Sequence, residues 1–147
     1  MHGTAVIIVD SSIILKWVCS EGERCLDRSD ALLKDMTHGV CNAYAPMLSM
    51  YEVCNALLKG RHLPPKRAGR AMRFLHNAPI NLIPESFETA MLTYRIAHAH
   101  NITYYDAAFL ALAKTMGGTL VTDDVKHQAN IPGVEVISLS AYPVAER

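Results

Sequence analysis

The sequence predicts an α/β fold: a three-layer α/β/α sandwich around a five-stranded, mostly parallel sheet. Three observations predict it. Ala5–Val9 is a short, wholly apolar run containing β-branched residues, as expected of a strand buried on both faces and therefore central and parallel. Short runs of that kind alternate along the chain with longer stretches of helical period. The length, 147 residues with 50% hydrophobic and 19% charged, suits one domain, 1–147, with a core of its own.

The elements follow in order. After Ala5–Val9 and Asp10, Ser12 can cap a short helix through Val18. Ser20-Glu21-Gly22-Glu23 has the form of a capping box, predicting a second helix that ends near Gly39. Asn42–Ala45 reads as a weak second strand, and Pro46 starts a helix from Met47 to Lys59 that Gly60 closes. Pro64-Pro65 opens the next helix, to about Asn77, with Ala68, Ala71, Met72 and Leu75 on one face. Ile80–Ile83, between Pro79 and Pro84, is a third strand. Ser86–Ala99 is helical, with Phe87, Ala90, Met91, Tyr94, Ala97 and His98 as one stripe. Tyr104–Met116 is an alanine-rich apolar helix stopped by Gly117-Gly118. Thr119–Thr122 is a fourth strand, 124–129 a helical turn, and Val134–Ser138 a fifth strand. No repeat or linker interrupts this series.

Composition narrows the function. No apolar run approaches the ~18 residues a membrane span requires, and no secretory signal pattern frames the N-terminal run, so a cytoplasmic protein is expected. Cys19, Cys25, Cys41 and Cys54 contain no C-x-x-C spacing and are expected to be buried, reduced thiols. Net charge is zero, with 14 basic and 14 acidic residues. The charge is unevenly spread. Residues 53–84 carry six basic side chains and no acid: Lys59, Arg61, Lys66, Arg67, Arg70 and Arg73. A neutral protein with one such block can grip a polyanion there, although a solvated helix face would look the same.

Carboxylates mark the chemistry. In an open parallel sheet the site lies beyond the carboxyl ends of the strands. Asp10 follows the first strand, and Asp123-Asp124 follow the fourth. Each, taken alone, is equally explained as a helix cap. Glu52 lies with Ser49 and Asn55 in a narrow polar stripe on a helix that is apolar nearly all round and so buried on most sides; a carboxylate there needs partners, unless the stripe simply faces water. Asp106 is the sole charge in the first turn of an apolar helix, where the helix dipole also favours it. No Cys or His shares this pattern. Clustered hard oxygen ligands suit Mg²⁺ or Mn²⁺ rather than zinc, and such sites serve phosphate chemistry. The chain has no G-x-x-x-x-G-K-[ST] loop, no G-x-G-x-x-G turn and no G-x-S-x-G elbow. A haloacid-dehalogenase-like phosphatase would want an acid where Ser12 stands. His98 and His100 point different ways on a helix, and His38, His62 and His76 are solitary, so all five are expected on the surface or in structural roles.

Four segments together resemble the PIN-domain ribonucleases, in particular the VapC toxins of toxin–antitoxin pairs. They are Val9-Asp10-Ser11-Ser12-Ile13-Ile14-Leu15-Lys16-Trp17, Tyr51-Glu52-Val53-Cys54-Asn55-Ala56-Leu57, the run from Tyr105-Asp106 to Ala113, and Leu120-Val121-Thr122-Asp123-Asp124. Any one is weak; four in order over essentially the whole chain are specific. The resemblance implies a five-stranded parallel sheet, an acidic pocket for Mg²⁺ or Mn²⁺, and endonucleolytic cleavage of RNA. It also implies a homodimer inhibited by a small antitoxin. Carried over, Asp10, Glu52 and Asp106 match three pocket acids, and a threonine–any–acid pattern selects Asp124 as the fourth. Asp123 occupies the "any" position and is also acidic, leaving it as a supporting acid or helix cap. Ser12 and Thr122 would be supporting hydroxyls, and Asn55 matches a common polar position. On this reading Asp10, Asp106 and Asp124 hold the metal, and Glu52 binds it or orients the attacking water. The basic block meets RNA phosphates or an acidic antitoxin segment. The alternatives are a PIN-fold module that binds RNA or protein without catalysis, and a structure-specific DNA nuclease, for whose usual insertions the chain is short.

Overall fold

Five strands, β1 (Ala5–Val9), β2 (Cys41–Pro46), β3 (Ile80–Ile83), β4 (Thr119–Thr122) and β5 (Glu135–Ser138), lie parallel in the order β3-β2-β1-β4-β5. The computed structural model describes residues 3–125 and 130–144. Six helices connect the strands: α1 (Ser11–Val18), α2 (Leu26–Thr37), α3 (Leu48–Asn55), α4 (Pro65–Asn77), α5 (Phe87–His100) and α6 (Tyr104–Met116). The apolar first strand is the central one, with Ile8 in register with Tyr44 on one side and Leu120 on the other.

Strand alternation divides the core in two. Ile7 and Val9 pack with Ile13, Ile14, Leu32, Val53 and Leu75 from α1, α2, α3 and α4. Ile8 and Leu120 pack on the other face with Ile96, Phe109 and Leu110 from α5 and α6. The result is the expected three-layer sandwich. The order of strands reverses between β1 and β4, so the C-terminal ends of these two frame the crevice at which such sheets bind ligands. No helix among the described residues is long and apolar enough to cross a membrane. All four cysteines are unbridged, and Cys41 alone is fully buried.

The differences from the expected elements have physical causes. Asp10, not Ser12, caps α1: its Oδ1 accepts the Ser11 amide at 2.9 Å. The Ser20–Glu23 segment is a turn outside any helix, and α2 starts later, after Cys25 in a left-handed conformation. The glutamate of that capping box is engaged elsewhere, accepting from Lys16 and Arg61. The helix expected to run to Lys59 widens after Asn55 into a π-helical turn, Ala56–Gly60, closed by the Arg61 amide on the Ala56 carbonyl. The α3 helix is also less buried than its composition suggests: Ser49 and Val53 are inside, while Tyr51 is 75% exposed. In α5 the buried positions are Thr93 and Ile96, and Phe87, Met91 and Tyr94 of the expected stripe face outward. Of the helical turn expected over 124–129, residues 126–129 lie outside the described residues.

The Gly117-Gly118 pair has two separate tasks. Gly117 caps α6 at φ 62°, a left-handed conformation that glycine adopts without strain. A Cβ on Gly118 would stand 2.8 Å from Val6 Cγ1 and 3.0 Å from the Val6 carbonyl oxygen, so β4 enters the sheet beside β1 only without one. Gly118→Ala should therefore destabilise the protein by about 1–3 kcal/mol through overpacking. Gly69→Ala, in the interior of α4 with open space around it, should stabilise by up to about 1 kcal/mol. Denaturant unfolding of both variants checks the pair.

Candidate metal centre

Asp10 leaves β1 at the switch point and is partly buried among hydrogen-bond donors. Its backbone amide donates to the Val121 carbonyl at 3.1 Å, tying the end of β1 to β4. Its Oδ2 accepts from Ser12 Oγ at 2.9 Å and from Thr122 Oγ1 at 2.8 Å. Burial pushes the Asp10 carboxyl above its ordinary value, and the charge of Asp106 adds to this; the Thr122, Ser12 and Ser11 donors pull the other way without overcoming it.

Glu52 projects from α3, whose first turn follows directly from β2. Its Oε1 accepts from Ser11 Oγ at 2.9 Å. Ser11 thereby bridges the two acids, its amide on Asp10 and its hydroxyl on Glu52. Burial raises the Glu52 carboxyl too, opposed by the Ser11 bond and reinforced by Asp10 and Asp106. Asp106 sits in the first turn of α6, its amide held by Thr103 Oγ1 at 3.0 Å. Asp10, Glu52 and Asp106 thus share one electrostatic field although they come from three distant segments.

The two acids after β4 are placed differently. The Asp123 carboxylate turns to Lys16, Oδ2 to Nζ at 3.0 Å, while its amide donates to Ser12 Oγ. The Asp124 amide donates to Thr122 Oγ1 at 3.2 Å, which ties it to the hydroxyl that serves Asp10. Asn55, a turn beyond Glu52, is exposed. Of the basic block, Lys59, Lys66, Arg67, Arg70 and Arg73 are exposed. Arg61 differs, with its guanidinium bound to Glu23 and to the Glu21 carbonyl.

Two participants had no sequence signal. Ser11 is indistinguishable from Ser12 in a tandem pair until the start of α1 aims one hydroxyl at Glu52 and the other at Asp10. Lys16 lies on an amphipathic helix, where a lysine is expected in solvent, yet its side chain is fully buried.

The donor set fits a hard divalent cation. It is made of carboxylate oxygens, two of them destabilised in their charged form by burial and by the charge of Asp106. Among the described residues no three His, Cys, Asp or Glu side chains are grouped so as to hold a metal ion by themselves.

The PIN domain family model matches residues 7–133. The chain belongs to the PIN domain family. No curated protein matches this PIN domain, but solved structures do. A toxin–antitoxin complex from Klebsiella pneumoniae is similar with 22% identity and a TM-score of 0.63, over 87% of this chain and 94% of that one. FitAcB from Neisseria gonorrhoeae is similar with 17% identity and a TM-score of 0.68, over 92% and 99%. VapC20 from Mycobacterium tuberculosis, a sarcin–ricin loop cleaving toxin, is similar with 13% identity and a TM-score of 0.64, over 82% and 92%. At these identities the likeness is one of fold.

Apolar side chains also line two grooves and one exposed helix face. A groove of about 270 Å³ includes Met47, Tyr51, Ile83, Tyr104 and Tyr105 in its lining, and Tyr51 and Tyr105 each precede a pocket acid in the chain. The outward stripe of α5 carries Phe87 and Tyr94, 77% and 62% exposed. A second groove, about 310 Å³, lies between α1 and α4 and is lined by Trp17, Leu63, Arg67, Arg70 and Phe74.

Asp10 supplies a pH prediction. A carboxyl raised in the folded state holds its proton more tightly there than in the unfolded chain. Its stabilising contribution is complete below the unfolded value and is lost as the pH rises through the folded one. At neutral pH, without metal, the ionised Asp10 is therefore a cost. Asp10→Asn should melt a few degrees higher than wild type in chelator at neutral pH. The gap should close as the pH falls towards the ordinary carboxylate value. Added Mn²⁺ should raise the wild-type melting temperature and leave the variant unchanged.

Proposed function

We propose that this PIN domain is a metal-dependent endoribonuclease that hydrolyses RNA phosphodiester bonds, as the toxin of a toxin–antitoxin pair in the cytoplasm. The observation that carries the reading is the partly buried Asp10 carboxylate at the sheet's switch point, held by Ser12 and Thr122 and bridged to Glu52 through Ser11. Two carboxyls kept above their ordinary values in one pocket, with Asp106 beside them, form a site that a divalent cation stabilises.

Asp10, Asp106 and Asp124 would hold Mg²⁺ or Mn²⁺. The chemistry such an ion supplies is neutralisation of phosphodiester charge and a lower pKa for a nearby water. The chain's own part is positional. Ser12 and Thr122 both donate to Asp10 Oδ2, so that carboxylate is fixed in rotation and offers its remaining lone pairs in one direction. Ser11 fixes Glu52 through Oε1, leaving Oε2 to accept a hydrogen bond from the attacking water and orient it. The raised value of Glu52 also makes it a better proton acceptor than an ordinary carboxylate.

Two partners follow. The exposed apolar residues of α5, with Tyr51, suit a second copy of the chain, giving a homodimer. The groove between α1 and α4 combines Trp17 and Phe74 with Arg67 and Arg70, which suits an acidic amphipathic segment of an antitoxin. Similarity to a toxin–antitoxin complex supports that reading. Exposed Lys59, Lys66 and Arg73 lie on the same stretch of chain and are available to RNA phosphates.

Cleavage of single-stranded RNA should require Mg²⁺ or Mn²⁺, and full activity after exhaustive chelation would overturn the assignment. Asp10→Asn should lower the rate by orders of magnitude with the fold intact by circular dichroism. Asp124→Asn should lower cleavage far more than Asp123→Asn; the reverse order would make Asp123 the pocket acid. Tyr94→Glu should convert the dimer to a monomer at micromolar concentration, read by sedimentation velocity.

A further inference from the structure

Lys16 is the only fully buried charged residue among those described. An ammonium removed from water must have all three of its protons accepted, and the fold provides three acceptors. Glu23 Oε2 lies at 2.7 Å and the Arg24 carbonyl at 2.8 Å, both from the loop between α1 and α2. The third, Asp123 Oδ2 at 3.0 Å, comes from the turn after β4. The two carboxylates outweigh the penalty of burial and keep the lysine charged.

The turn after β4 is therefore held from two sides by α1. Ser12 Oγ accepts the Asp123 amide, and Lys16 grips the Asp123 carboxylate. The same Ser12 hydroxyl donates to Asp10 Oδ2. One residue further, the Asp124 amide rests on Thr122 Oγ1, which also donates to Asp10. The pull of Lys16 on Asp123 has two consequences. It takes one negative charge out of the acidic pocket's field, and it fixes the turn from which Asp124 is presented. Glu23 is placed differently: it joins Lys16 and Arg61 from the loop between α1 and α2, and so braces the lysine from an element other than the turn after β4.

We infer that Lys16 is a positioning residue for the acidic pocket, acting through Asp123 to set the pocket's affinity for a divalent cation that Lys16 itself does not touch. The inference rests on the metal-dependent reading above.

The test is Mn²⁺ affinity by titration calorimetry on the full chain, with thermal unfolding in parallel, for Lys16→Met, Asp123→Ala, the double variant and Glu23→Gln. Lys16→Met and Asp123→Ala should each weaken Mn²⁺ binding about 10-fold, as loss of a group that orients metal ligands does. The double variant should bind no more weakly than either single one, because both changes break the same link. Glu23→Gln should lower the melting temperature while Mn²⁺ affinity stays within about twofold. A purely structural lysine predicts the opposite pattern, with additive losses and Glu23→Gln weakening Mn²⁺ as much as Asp123→Ala; that result overturns the inference. Unchanged affinity in all variants overturns it as well. Should Lys16→Met fail to fold, the contrast between Asp123→Ala and Glu23→Gln still decides. A wild-type chain that binds no Mn²⁺ overturns the metal-dependent reading and this inference with it; a wild-type chain that binds, beside variants that bind equally, overturns the inference alone.

Discussion

Asp10 has to be partly buried, bonded and charged in one place, and the geometry around the pocket follows from reconciling those demands. The central strand ends on it, so its amide makes a bond to β4 and its side chain starts α1. A carboxylate there without donors would be driven to its neutral form. Ser11, Ser12 and Thr122 supply those donors from the helix it caps and from the adjacent strand. One side chain thus joins β1, α1 and β4. The hydroxyl of Thr122 is fully buried in doing this, and it passes the constraint on to the amide of Asp124.

Around that junction, charge is sorted by distance from the strand ends. The charge of Asp106 raises the carboxyls of Asp10 and Glu52, and Asp10 raises Glu52 as well, which marks a pocket short of positive charge. The nearby cations are directed elsewhere. Lys16 and Arg61 bind Glu23, and Lys16 also draws off Asp123. A chain of charges, Asp123–Lys16–Glu23–Arg61, therefore runs from the edge of the pocket to the start of the basic block. Its buried end carries structural weight. Its half-exposed end at Arg61 adds less, since ion pairs near water are screened.

The apolar surface is sorted as well. Burial of Thr93 and Ile96 against the sheet leaves Phe87, Met91 and Tyr94 on the outer side of α5. On α3, burial of Ser49 and Val53 turns Tyr51 out. Soluble chains rarely expose apolar groups in contiguous stripes without a partner for them.

The local content of the sequence determined the order and kind of the elements. Ala5–Val9 read as a central strand, Pro64-Pro65 opened α4, and Gly117-Gly118 ended α6, because period, caps and backbone freedom act over a few residues. It also marked Asp10, Glu52 and Asp106 as acids in unusual positions. Packing decided what those signals meant. Ser20–Glu23 has the pattern of a capping box, yet Glu23 is claimed by a lysine and an arginine that only the folded chain brings near. The α5 stripe is periodic, yet period does not say which face meets the sheet. Asp123 and Asp124 are equivalent as adjacent letters; Asp123 is set apart by a buried ammonium within its reach, whose burial nothing in the local sequence announces. Local energies name a residue's conformation, whereas its partner is chosen by contacts between segments far apart in the chain, and those exist only once the sheet has assembled.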